Sequence, residues 1–404
     1  MNSMKKIIIL IIGVYLICFT FSCRKKDKDD CPYCPKIDGI SPTSGKKGDT
    51  IIISGRNFSS VLLENIVTFN GVTVSPTSMI SGSTTQLKVL VPPKCGTGSV
   101  EVKLDDELYS ENGPIFTYNP QTIVTTIAGG ISGSTVDGIL IAAARFKGPS
   151  QLAIDGTGDL YVLDTGDLKI TKLKFSAGGY TDVLIDNSSQ VTNPTAFTVD
   201  QNNVLYVSNY YAPSFTGTAT IFQLTPGSKN PISFMSDPTS GKKHISMVAE
   251  APGKFYIGRA TTNLSVELYD IVHYSTNGFQ NYTSGAGCVI YLKNDYIHQI
   301  NSLVAQKIYM TEYSKYHVSD TVETSILDKT AGLNFSRGLV VDDAGNAYIA
   351  DTQNNRIIKC SPAGVVTPLV TTGLKLPQGM VLDRFGNIYV ADTGNHSIKK
   401  ITFD

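Results

Sequence analysis

The sequence predicts an all-β chain in two parts, a β-sandwich followed by a six-bladed β-propeller. Two observations carry this. One unit is written twice near the C-terminal end: RGLVVDDAGNAYIADTQNNRIIKCS from Arg337 returns as QGMVLDRFGNIYVADTGNHSIKKIT from Gln378, in register at an offset of 41 residues. A period near 40 with strand-type patterning marks a propeller or a related repeat array. The segment 36–119, in contrast, is a series of short β-branched runs broken by Gly and Pro, the pattern of a sandwich.

Each copy of the repeat reads as one blade. In the first, an apolar run over Gly338–Val341 meets an Asp-Asp-Ala-Gly-Asn turn, and a second run covers Ala347–Ala350. The polar turn Asp351–Asn355 leads to a third run, Arg356–Cys360, and Ser-Pro-Ala-Gly leads to a fourth, Val365–Val370. Four antiparallel strands per unit make a blade. Asp342, Gly345, Asn346, Tyr348, Asp351 and Asn354 return as Asp383, Gly386, Asn387, Tyr389, Asp392 and Asn395. These residues resemble the NHL repeat family, and the resemblance implies an NHL-type propeller.

The same skeleton stands at Gln151, in QLAIDGTGDLYVLDTGDLKITKL, behind an AARFKGP lead-in at Ala143–Pro149 that resembles the one bacterial NHL proteins carry. Weaker copies are read at Ala196–Asn209, at Ile245–Arg259, and at Ile300–Ala305 followed by Ile308–Glu312. The marker tyrosines Tyr161, Tyr206, Tyr256, Tyr309, Tyr348 and Tyr389 then number six blades. The chain stops at Asp404 three strands into the last blade, whereas Thr122–Ala128 precedes the first blade without a partner. Pairing of these two ends would close the ring and leave no exposed edge.

Residues 1–22 read as a targeting segment: Lys5 and Lys6 precede an apolar run too short to span a membrane comfortably. Ser22-Cys23 followed by a charged run resembles a bacterial lipoprotein signal. The resemblance implies lipidation of Cys23 and a membrane anchor, with Thr20 standing where that family usually has Leu. Lys28-Asp29-Asp30 resembles the acidic tag of surface-exposed lipoproteins of Bacteroidota. Residues 23–35 form a tether. Its CxxC pair, Cys31 and Cys34, lacks the second pair that a closed zinc site needs, so a local disulfide or an idle pair is expected. Cys95, Cys288 and Cys360 sit in or beside strand-like runs and read as buried thiols.

In 36–119, the stretches Ile37–Gly48, Thr50–Phe58, Val67–Gly71, Leu87–Pro92, Gly96–Val102 and Ile115–Tyr118 resemble the IPT/TIG family. That implies an N-terminal immunoglobulin-like (IPT/TIG) β-sandwich, usually a spacer or interaction module. The propeller takes 120–404.

The chain has 34 basic and 34 acidic residues with no basic stripe, so no electrostatic footprint for nucleic acid is present. The histidines, His244, His273, His298, His317 and His396, show no HxH or HExxH spacing, and neither a GxSxG elbow nor a Walker loop appears. No metal or cofactor is expected. The recurring Asp164, Asp351 and Asp392 read as turn-stabilising residues. Asn209, Arg259 and Glu312 stand in the same slot of the irregular middle blades, which are also rich in tyrosine. Tyr210, Tyr211, Arg259, Glu312 and Tyr313 are therefore the expected ligand contacts. Replacing Arg259 or Tyr211 is expected to weaken binding and leave stability unchanged. Tyrosine combines apolar area with a hydroxyl and suits sugars and peptides alike, although strands favour it in any case. The expected function is a surface lipoprotein that binds a glycan or a protein, accessory to an outer-membrane uptake system. The alternative is a propeller enzyme, a metal-dependent lyase or lactone hydrolase in which Glu312, Asn209 and Asp164 converge on the axis. A third is a purely structural envelope protein.

Overall fold

The computed structural model describes residues 31–104, 110, 113–176, 178–186, 189–211, 218–239, 241–261, 269–275, 278–284, 289–305, 308–318 and 323–404. Residues 1–22, Cys23, Lys28–Asp30 and Cys288 lie outside that set. Residues 122–403 form one compact unit, and the described residues up to Gln121 form another.

The N-terminal unit is a sandwich. One sheet runs in the order Lys36–Ser41, Thr50–Arg56, Gln86–Leu90, Met79–Gly82; the other runs Ser44–Gly45, Ile115–Tyr118, Gly98–Lys103, Ile66–Phe69, Val72–Thr73. Alternation along each strand turns every second residue inward. Ile51, Ile53, Leu87 and Val89 thus face Val67, Phe69, Val100, Val102 and Phe116, all at most 1% exposed. Phe69 and Phe116 meet edge to face, centroids 5.1 Å apart. Cys31 and Cys34 are joined by a disulfide, and Cys95 and Cys360 are buried free thiols.

The second unit contains six four-stranded sheets among the described residues. The first strands of the blades are Pro149–Ile154, Pro194–Val199, Lys242–Ala251, Val289–Lys293, Gly338–Val341 and Pro377–Leu382. The second strands are Leu160–Asp164, Leu205–Tyr211, Lys254–Thr261, Tyr296–Ala305, Ala347–Asp351 and Ile388–Asp392. In blades one, five and six the whole second strand is buried, because side chains on both faces pack against neighbouring blades. Thr122–Gly129 pairs antiparallel with Ser397–Phe403, from Thr122 opposite Phe403 to Gly129 opposite Ser397. The N-terminal strand therefore completes blade six, as the sequence predicts.

The Asp, Gly, Asn and Tyr of the repeat make its first turn. Asp342 accepts the Asn346 backbone N–H at 2.8 Å, the Asn346 amide at 2.9 Å and the Tyr348 hydroxyl at 3.1 Å. Asp383 binds Asn387 and Tyr389 in the same way. Gly345 and Gly386 take φ of 80° and 79° in these turns, a conformation costly for any residue with a Cβ.

Blade four corrects the sequence reading by one strand. Its order is Val289–Lys293, Tyr296–Ala305, Ile308–His317, Glu323–Leu327, so the segments expected as first and second strands are second and third. Asn294 and Asp295, both at positive φ (49° and 61°), close a two-residue hairpin in place of the Asp-x-x-Gly-Asn turn. The register sets Tyr291 opposite His298, as Ala153 is set opposite Tyr161 in blade one. His298 thus holds the marker-tyrosine place that the sequence reading gave to Tyr309, and Asn301 the place given to Glu312.

Candidate functional site

In blades one, two, three, five and six the end of the second strand meets the loop that enters the first strand of the same blade, and a polar side chain ties the two together. Asp164 accepts the backbone N–H groups of Lys147 and Gly148, each at 2.7 Å. Asp351 takes that of Asn334 at 2.7 Å, Asp392 that of Lys375 at 2.7 Å, and Asn209 that of Asn193 at 2.6 Å. Burial raises the carboxyls of Asp164 and Asp392 above the ordinary range, against the pull of these donors. Asp164 and Asn209 are thus bound to their own loops, as a turn-bracing role requires.

Blade three builds the same tie with its polarity reversed. Arg259 is 3% exposed; its Nη1 donates to Asp237 Oδ2 at 3.0 Å and to Thr239 Oγ1 at 3.2 Å, both in the entering loop. Here the strand supplies the donor and the loop the acceptor. Asp237 also meets His244 Nε2 at 3.0 Å, and His244 Nδ1 meets Ser208 Oγ at 2.9 Å. Burial pushes the Asp237 carboxyl up, but the bonds from His244, the Thr239 N–H and Arg259 outweigh it and hold it at about 2. The Ser-His-Asp sequence of contacts is closed to solvent at all three residues, which suits a cross-link between blades two and three.

The other expected contacts are distributed differently from the sequence reading. Tyr210 is buried, and its backbone exchanges hydrogen bonds with Asn193. Tyr211 pairs with Thr218 at the end of the same strand. Tyr313 lies mid-strand at 1% exposure, its hydroxyl 2.7 Å from His298 Nδ1, within an apolar cluster with Ile300 and Leu327. Glu312 pairs with Asn301 in the third strand of blade four. The side chains of Tyr211 and Glu312 lie outside the described residues. Those of Tyr210, Arg259 and Tyr313 are interior, so packing accounts for them without a ligand.

A cavity of about 440 Å³ lies where the first strands converge. The register makes Leu152, Phe197, Met247, Leu339 and Met380 equivalent. Two residues before each stand Ser150, Thr195, Ile245, Arg337 and Gln378, all lining the cavity. This ring is narrow because Gly338 and Gly379 let adjacent strands touch. A Cβ on Gly338 would fall 2.1 Å from the Gln378 carbonyl oxygen, and one on Gly379 2.6 Å from that of Ser150. Gln151 Nε2 reaches across to the carbonyl oxygens of Thr195 (2.8 Å) and Ile245 (3.2 Å). Farther along the strands the lining becomes apolar, with Ile154, Val199, Val248 and Leu382.

Charge at this mouth is one-sided. Arg337 and Lys243 line the cavity, and among the described residues no carboxylate does. The Arg337 guanidinium lies 4.0 Å from the centre of the Phe335 ring, a cation–π contact that holds its plane. Phe335 itself sits at φ 51°, a region bulky residues rarely adopt.

Residues 35–133 match the IPT/TIG domain model and residues 374–401 the NHL repeat model. The chain thus carries an IPT/TIG domain and an NHL-type propeller. The IPT/TIG match runs past Tyr118 into the strand that closes the propeller. No curated protein matches the sequence. Among solved structures, the chain resembles one described as an auxiliary nutrient binding protein from Bacteroides ovatus, with 17% identity, TM-score 0.59, and 92% of this chain and 98% of that one covered. One of the same description from Bacteroides thetaiotaomicron gives 17% identity, TM-score 0.54 and the same coverage. A gluconolactonase from Xanthomonas campestris, 10% identical, covers 70% of this chain and 90% of its own at TM-score 0.51. At these identities the likeness is one of fold.

Arg337 and Gln378 open the two matched copies, and the pair differs in charge where its neighbours agree. The sequence reading looked instead at the ends of the second strands.

Proposed function

We propose that this IPT/TIG–NHL chain is a binding protein whose propeller holds a glycan or a protein group at the axial mouth, with the sandwich as spacer. The observation that carries the reading is the cavity itself. It joins a polar, cationic rim to an apolar floor, the composition of a small-ligand site, and its size falls in the range of about 300–1,000 Å³ that such sites take. The similar proteins described as auxiliary nutrient binding proteins agree with a role in capture. Placement on the outer membrane through a lipid on Cys23, beside an uptake system, belongs to the same proposal.

A screen of the full chain against oligosaccharides and surface proteins tests the binding role. Gln378→Trp narrows the mouth and should abolish saturable binding while the protein stays folded; full retention would move the site elsewhere. Labelling cells with a fatty-acid analogue tests the anchor, and label that persists after Cys23→Ala would remove it.

A further inference from the structure

We infer that the axial mouth is an acid-sugar site, in which Arg337 takes the carboxylate of a uronic-acid residue at a glycan end. This rests on the binding role proposed above and narrows its ligand. The first ground is charge. The whole chain is neutral, with 34 basic and 34 acidic residues, yet the described lining of the cavity includes Arg337 and no carboxylate. Such a mouth concentrates anions locally, since low-dielectric walls strengthen the field within a cleft. The second ground is the state of Arg337. Its guanidinium faces no carboxylate among the described residues and is stacked on Phe335, so its planar fork is oriented and available for a bidentate carboxylate.

The third ground separates a sugar from other acids. At the positions equivalent to Arg337 in the next two blades stand Gln378 and Ser150. Blades five, six and one thus present a guanidinium, an amide and a hydroxyl around one rim. The Gln378 amide both donates and accepts, and the Ser150 hydroxyl, which donates to the Leu163 carbonyl at 3.2 Å, adds an acceptor; the hydroxyls beside a sugar carboxylate require both. The apolar residues below would receive the C–H face of the ring.

Calorimetric titration of the full chain with trigalacturonate, with its methyl ester and with a tripeptide bearing a free C-terminus tests this. The acid should bind at least tenfold more tightly than the neutral ester, and its affinity should fall as NaCl is raised. Arg337→Gln should weaken acid binding at least tenfold and ester binding by no more than about threefold, so that the preference for the acid is lost, and Arg337→Lys should fall between. Equal affinity for acid and ester, or unchanged acid binding in Arg337→Gln, overturns the inference while leaving a neutral-glycan binder standing. Tripeptide binding through Arg337 without trigalacturonate binding overturns the sugar assignment. Failure of every oligosaccharide and protein in the wider screen would take the binding role with it.

Discussion

Arg259 Nη1 lies 3.0 Å from Asp237 Oδ2 with both side chains shut away from solvent, and the pair stands where blades one, five and six set an Asp, and blade two an Asn, against a backbone N–H. A buried ion pair is poorly tolerant of losing one member, because the partner is left charged without compensation. Arg259→Met should therefore lower stability by about 3–5 kcal/mol, read from urea denaturation. A loss below about 1 kcal/mol, typical of an exposed pair, would mean the tie is not structural. The sequence reading expected the opposite, a change in binding without a change in stability.

Asp237 also sets an acid limit. Its carboxyl is held at about 2 against an ordinary 3.8. Its contribution is complete above pH 3.8 and is lost as pH falls through about 2. The difference corresponds to about 2 kcal/mol. Asp237→Asn should remove that part of the acid transition, and an unchanged profile below pH 4 would contradict the assignment.

His298 acts in a higher pH window. Burial, and then the charge of Lys315, hold its imidazole down at about 4 against an ordinary 6.5. The unfolded ring takes its proton near 6.5 and the folded ring only near 4, so stability is full above 6.5 and drains away between the two. About 3 kcal/mol is at stake. The urea midpoint should fall from pH 7 to pH 4.5 in the parent and stay flatter in His298→Gln. Parallel slopes would place the titration elsewhere.

Legibility in the sequence followed the regularity of the turns. Asp342, Gly345, Asn346 and Tyr348 form a local device whose members lie within seven residues, so the sequence alone shows the blade. Blade four replaces that device with the Asn294-Asp295 hairpin, which carries no glycine, and the reading slipped by one strand. Arg259 is a different case. Its partner Asp237 lies 22 residues away, and a tie formed across a loop leaves no local pattern. Arg337 was in view as the first letter of the repeat, but only the ring geometry shows that this position faces the axis.

Closure of the propeller rests on a strand distant in sequence. Thr122–Gly129 pairs with Ser397–Phe403, and Ala128 and Phe146 join Tyr389, Ala391 and Ile398 in one apolar cluster. Deleting Thr122–Ala128 would bare the backbone edge of Ser397–Phe403 and open that cluster. Amide exchange along Ser397–Phe403 should then approach that of an unprotected chain, and the product should associate through its free edge. A monomeric product with parent-like protection would show that the ring holds without its velcro strand.

Asp351 gives the sharpest separation of charge from hydrogen bonding. Its Oδ1 accepts the Asn334 N–H at 2.7 Å, while Oδ2 accepts the Asn354 amide at 2.8 Å and Arg356 Nε at 2.7 Å. The residue is fully buried. Asp351→Ala leaves the Asn334 N–H without its acceptor, and a buried orphan costs about 1–3 kcal/mol; it also removes the ion pair with Arg356 Nε, whereas the Asn354 amide keeps the Gly332 carbonyl at 3.0 Å. Asp351→Asn keeps one carbonyl oxygen for Asn334 but sets an N–H₂ group against Asn354 and Arg356. Both variants should therefore be destabilised, the alanine form by more, and the asparagine form should recover part of its loss when Arg356 is changed to Gln, which can offer an acceptor. Binding at the axial mouth should persist in whatever fraction remains folded, because Asp351 faces its own loop. Loss of binding from a folded Asp351→Asn protein would show that the tie positions the mouth as well as the blade, and would join two parts of the molecule that the geometry keeps separate.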